Sequence, residues 1–105
     1  MAMQAAITEK LDALAEICRR HGVSRLELFG SAARHDFDPA RSDADFLVTF
    51  EAAARNDIGA LSDLKDELED LLGRRVDLVE RETIETSRNF IRRRAILREA
   101  RTLYG

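Results

Sequence analysis

Apolar residues recur at helical spacing in one stretch of this chain and at strand spacing in the next, and the alternation repeats along its length. From Ala5 to His21 the residues Ile7, Leu11, Leu14, Ala15 and Cys18 make one helical stripe, and Gly22 stands where a helix stop belongs. Arg25 to Phe29 changes to period two, with Leu26 and Leu28 on one side and Arg25, Glu27 and Phe29 on the other. Gly30-Ser31 breaks that strand and opens a short helix or turn through Arg34. His35 to Ser42, which contains Pro39, reads as a loop. A second strand is predicted over Ala44 to Phe50. A helix follows over Ile58 to Leu72, with Ile58, Leu61, Leu64, Leu68, Leu71 and Leu72 on its apolar face and Gly73 as its stop. Arg75 to Glu80 is a third strand. A last helix, with room for a break, runs from Glu82 to Leu103. The order α-β-α-β-α-β-α predicts an α/β (α+β) domain, a short mixed sheet covered by helices.

The 105 residues fit a single domain, 1–105, with one modest core. A chain 45% hydrophobic and 35% charged is globular and soluble rather than disordered. No apolar run approaches the roughly 18–20 residues of a membrane helix, and Met1 to Gln4 show no signal-peptide pattern. The single cysteine, Cys18, excludes an internal disulfide and suits a cytoplasmic location. On the helical stripe it reads as a small core residue rather than a nucleophile. The net charge of −3 offers no case for direct nucleic-acid binding.

Three weak signals carry chemistry together. Asp43 and Asp45 sit one residue apart at the start of a strand, so both project from one face. Two carboxylates so close repel unless solvated or bridged by a hard cation such as Mg²⁺, which takes oxygen ligands and shares them with phosphates. Read alone, the pair is more simply a polar strand start with two exposed aspartates. Gly30-Ser31 lies where a strand gives way to a helix, a place where backbone N–H groups attract phosphate; it can also be a simple N-cap. Asp77 interrupts the aliphatic strand Arg75 to Val79, an unfavourable place unless a shared metal compensates or an edge strand shows it to water. Taken together, these residues suit metal-assisted phosphoryl transfer, with Asp77 able to accept the acceptor's proton.

Leu28-Phe29-Gly30-Ser31-Ala32-Ala33-Arg34, Ser42-Asp43-Ala44-Asp45-Phe46-Leu47-Val48 and Leu71-Leu72-Gly73-Arg74-Arg75-Val76-Asp77-Leu78-Val79 resemble the minimal nucleotidyltransferases of the DNA polymerase β superfamily. The resemblance implies a polymerase-β-like fold in which Gly30 and Ser31 hold the triphosphate, with Arg34 touching phosphate or making a structural salt bridge. It implies that Asp43, Asp45 and Asp77 are catalytic and bind two Mg²⁺, with ATP as the substrate. Eleven residues separate Ser31 from Asp43, one more than is common in the family, and His35 stands where glycine is frequent. A loop absorbs one extra residue at small cost. Relatives of this size act as antitoxins beside HEPN-domain toxins, and some transfer AMP to a tyrosine of the toxin. The resemblance therefore implies a hetero-oligomer with a HEPN-domain partner.

Two other readings stand beside the enzyme: a non-catalytic binding module that neutralises its partner by docking, and a small-molecule transferase of the antibiotic-modifying kind. Glu51 to Asp70 is mainly acidic, whereas Arg88 to Arg101 carries six arginines against one glutamate. Phe90, Leu97 and Tyr104 recur every seven residues, as do Ile84 and Ile91, which predicts an apolar seam surrounded by Arg88, Arg92, Arg93, Arg94, Arg98 and Arg101. That helix is either a solvated basic face or part of a partner surface. His21, near a helix C-terminus, reads as a dipole contact.

Overall fold

The computed structural model describes residues 7, 9–30, 44–52 and 59–105. Helix α1 (Leu11–Arg20) leads into strand β1 (Val23–Phe29). Strand β2 (Ala44–Phe50), helix α2 (Ala60–Leu72) and strand β3 (Val76–Glu80) follow, then the short helix α3 (Arg81–Glu85), helix α4 (Phe90–Glu99) and strand β4 (Arg101–Tyr104). The sheet order is β3-β2-β1-β4. β1 is antiparallel to both β2 and β4, while β2 and β3 are parallel, so the sheet is mixed. Parallel neighbours need a crossover, and α2 supplies it. No helix among the described residues is long and apolar enough to cross a membrane.

The period-two pattern decides what each face buries. Leu26, Leu28, Phe46, Val48, Val76 and Leu78 pack under α1 and α2 with Ile7, Leu14, Ile17, Cys18, Leu64 and Leu68. Phe29 and Leu47 face the other way, onto Ile84 of α3 and Ile96 of α4. A register shift after Val23 turns that residue to the same side as Leu26, as a bulge does. β2 is central and buried on both faces, which explains its almost continuous run of apolar residues. On α1 the buried stripe is Leu14, Ile17 and Cys18, with Ile7 buried ahead of the helix; Leu11, predicted to join the stripe, is 37% exposed. On α2 the predicted apolar face holds for Leu61, Leu64, Leu68, Leu71 and Leu72, whereas Ile58 lies outside the described residues. Gly73 closes α2 with left-handed backbone (φ 66°) and an N–H donated to the Glu69 carbonyl at 2.8 Å.

Two residues left over from the motifs have structural roles. Burial pushes the Cys18 thiol up to about 11, as a core residue requires and a nucleophile forbids. His21 does more than face a helix end: its Nε2 meets Glu67 Oε2, and Arg20 Nη1 reaches Glu67 Oε1 at 2.9 Å. Those contacts, His21 first and then Arg20, hold the Glu67 carboxyl below its ordinary range and tie the end of α1 to α2.

The C-terminal segment departs from the expected single helix. Residues 101–104 form a strand that pairs with β1, Leu28 opposite Arg101 and Leu26 opposite Tyr104. α4 ends at Ala100, whose backbone is extended (ψ 132°), so the seven-residue seam cannot run. Ile84 lies on α3 and Tyr104 on β4, while Phe90 and Ile91 are 61% and 71% exposed. Ile96, which falls outside the seam, is the buried anchor of α4.

Candidate active site

Phosphoryl chemistry needs anionic oxygens held together beside open backbone, and one end of the sheet provides both. The Ala44 N–H donates to the Arg75 carbonyl at 3.1 Å, which sets the start of β2 against the start of β3. The parallel register then pairs Asp45 with Asp77. Adjacent strands lie roughly 4.8 Å apart and paired positions share a face, so the two carboxylates are lateral neighbours. Asp45 also pairs with Phe29 of β1, the residue before Gly30. Asp45 is half-buried and Asp77 is exposed. Asp77 lies on the edge strand, so water solvates it and the burial penalty anticipated for a mid-strand aspartate does not arise.

Gly30 completes this corner. Its φ is +72°, a conformation that L side chains seldom adopt, and a Cβ there would lie 2.5 Å from Asp45 Oδ2. The missing side chain leaves backbone open directly beside a carboxylate oxygen. The oxygen-only donor set of Asp45 and Asp77 fits a hard divalent cation, and the bare backbone at Gly30 fits a phosphate drawn close to it. Among the described residues no group of three or more His, Cys, Asp or Glu forms a metal cage. Asp43, Ser31 and Arg34, also predicted for the site, lie outside the described residues, as does His35.

Gly30→Ala should lose about 1–2 kcal/mol of stability from the left-handed backbone and also displace the Asp45 carboxylate. Urea denaturation and a nucleotide-binding titration check the two effects separately. A variant with wild-type nucleotide affinity would show that the close approach at Gly30 has no part in binding.

The same face holds a pair that local sequence reading missed. Glu27 points inward from β1 and its side chain is 3% exposed. Arg81, the first residue of α3, donates from Nη1 to both Glu27 carboxylate oxygens at 2.6 Å and from Nε to Glu85 Oε2 at 3.0 Å. Arg25 Nε lies 3.6 Å from Glu27 Oε1. The only available signal was a glutamate at an inward strand position beside Phe29. This pair anchors α3, and with it the cover over Phe29 and Leu47 next to the carboxylates. A cleft of about 490 Å³ lies at the opposite end of the strands, lined by Arg25, Thr49, Phe50, Glu80 and Arg81 among others. Thr49 is four residues along β2 from Asp45, roughly 13 Å away, so this cleft is separate from the carboxylate corner.

Comparisons with known proteins identify the family and the fold. The profile of the nucleotidyltransferase domain family matches residues 11–101. A solved structure described as a minimal nucleotidyltransferase is 35% identical, with a TM-score of 0.73, over 96% of this chain and 95% of that one. A toxin–antitoxin structure with AMP-PNP is 22% identical (TM-score 0.66) over 90% of this chain and 73% of that one. A complex of a tri-AMPylated HEPN toxin from Shewanella oneidensis with its MNT antitoxin is 20% identical (TM-score 0.61) over 94% of this chain and 72% of that one. At those last two identities the likeness is one of fold. No curated protein matches the chain. With a profile that covers most of its length and a relative 35% identical end to end, the chain belongs to the nucleotidyltransferase domain family.

Proposed function

We propose that this chain is a Mg²⁺-dependent nucleotidyltransferase that moves AMP from ATP to a hydroxyl, a tyrosine, of a HEPN-domain protein, and so acts as the antitoxin to that toxin in the cytoplasm. The observation that carries the reading is the lateral pair Asp45–Asp77 beside the bare backbone of Gly30. In the transfer the acceptor oxygen forms a bond to the α-phosphorus, the bond from the α-phosphorus to the bridging oxygen breaks, and pyrophosphate leaves. Divalent ions, when bound, neutralise the triphosphate and the charge that develops on the leaving oxygen. Asp43 and Asp45 hold them, with Asp77 beside Asp45. Gly30 and Ser31 hold phosphate oxygens through backbone N–H groups, and Arg34 contacts phosphate through its guanidinium. Asp77, which is exposed on the edge strand, takes the proton of the incoming hydroxyl.

The partner reading draws on the MNT antitoxin in the Shewanella oneidensis complex, whose fold this chain shares. The carboxylates repel a triphosphate unless cations intervene, so ATP should bind in Mg²⁺ and weaken by more than about tenfold in EDTA. Isothermal calorimetry measures both. Equal affinity with and without divalent cation would remove the metal role from this account.

A further inference from the structure

Among the described residues, helix α4 is held down along one side. Ile96 is buried, Leu97 packs beside it, and Arg93 Nη1 donates to the Ser87 carbonyl at 3.1 Å. At 3.6 residues per turn Phe90, Ile91, Arg94 and Arg98 fall within one sector of about 100° turned away from Ile96, with Phe90 at its border in line with Leu97. All four are exposed, and Phe90 and Ile91 are the most exposed large apolar residues described. Among the described residues no acidic side chain pairs with Arg94 or Arg98, or with the flanking Arg88 and Arg92. Two bare apolar anchors among unpaired arginines make a surface suited to a partner that supplies both a hollow and carboxylates.

We infer that this face of α4 is the docking surface for the acceptor protein, which presents an apolar hollow rimmed by acidic groups; the inference rests on the transferase reading above. A second copy of this chain is a poor occupant, because a two-fold contact through α4 sets arginines against arginines. Nucleic acid would use the arginines but leaves Ile91 without a partner, and the chain as a whole is anionic. Position supports the assignment. Ala100 ends α4 and Arg101 pairs at once with Leu28, two residues before Gly30. The last turn of α4 therefore reaches the end of the sheet that holds Asp45 and Asp77. A protein lying along the roughly 15 Å of this helix stands beside the carboxylates.

The test uses the full chain, the HEPN-domain protein of the same genome, and two variants, Phe90→Ser with Ile91→Ser and Arg94→Glu with Arg98→Glu. Both change exposed side chains, so melting temperature should hold, and the Ser variant should keep its ATP affinity in Mg²⁺. The surface assignment predicts that wild-type affinity falls as salt rises and that each variant binds at least about 30-fold more weakly. Variants that bind as tightly as wild type overturn the surface and leave the partner reading intact; absence of any wild-type complex overturns both. The surface assignment is also overturned if the substitutions instead abolish self-association, or binding of a single-stranded RNA oligonucleotide, while the protein complex survives.

Discussion

Arg81→Met should remove about 3–5 kcal/mol of folding stability, the usual cost of stranding one member of a buried ion pair. Glu27 would keep its carboxylate in a 3% exposed position with Arg25 3.6 Å away on one side as its remaining cation. A domain of this size has a total stability of about 5–15 kcal/mol, so the loss is a large share of the whole and should lower the melting temperature by more than about 12 °C. Glu27→Leu should cost less, because Arg81 retains Glu85 and is 22% exposed. The double variant Glu27→Leu with Arg81→Met should recover most of the loss, since replacing both partners by apolar groups is often neutral. Thermal and urea unfolding of the four proteins make the cycle. Equal destabilisation in the single and double variants would mean that α3 is held by Ile84 packing rather than by the pair.

Asp45→Asn should reduce nucleotidyl transfer by about three orders of magnitude or more, because charge stabilisation worth several kcal/mol leaves the transition state. Asp43→Asn should do the same. The fold should survive: Asp45 is only half-buried, asparagine has the same shape, and its neighbour across the strand is another carboxylate. Relief of that repulsion should leave the melting temperature of the metal-free protein unchanged or slightly raised, as happens when strained active-site residues are replaced. Radiolabel transfer from α-labelled ATP, read beside thermal unfolding, separates a catalytic loss from a structural one. An Asp45→Asn protein with near-normal transfer would contradict the assigned role.

How much of this was legible in the sequence depends on whether the deciding interaction was local. β1, β2 and β3 were readable because period-two runs such as Leu26–Leu28 and Ala44–Phe50 encode their own faces. The apolar face of α2 was readable from Leu61, Leu64 and Leu68. β4 was not, because four residues are too few for a period and Arg101–Tyr104 become a strand only by pairing with the edge of β1. The seven-residue coincidence of Phe90, Leu97 and Tyr104 then misled, because it spans an element boundary at Ala100. The Glu27–Arg81 pair joins positions 54 apart with no local trace. At the site, residue types suggested the chemistry, but the adjacency of Asp45 and Asp77 is a property of strand register. The exposure of Asp77 likewise follows from the sheet order, which leaves β3 at an edge.

The central claim is that the corner formed by Gly30, Asp45 and Asp77 transfers a nucleotide to a protein rather than merely docking to it. The most direct measurement is the intact mass of the HEPN-domain partner after incubation with this chain, ATP and Mg²⁺, followed by fragmentation to locate any adduct. The account predicts a mass gain of one or more adenylyl groups on tyrosine, absent in EDTA and absent with Asp45→Asn. A partner that forms a stable complex yet keeps its unmodified mass would contradict it and leave a binding module built on a nucleotidyltransferase fold.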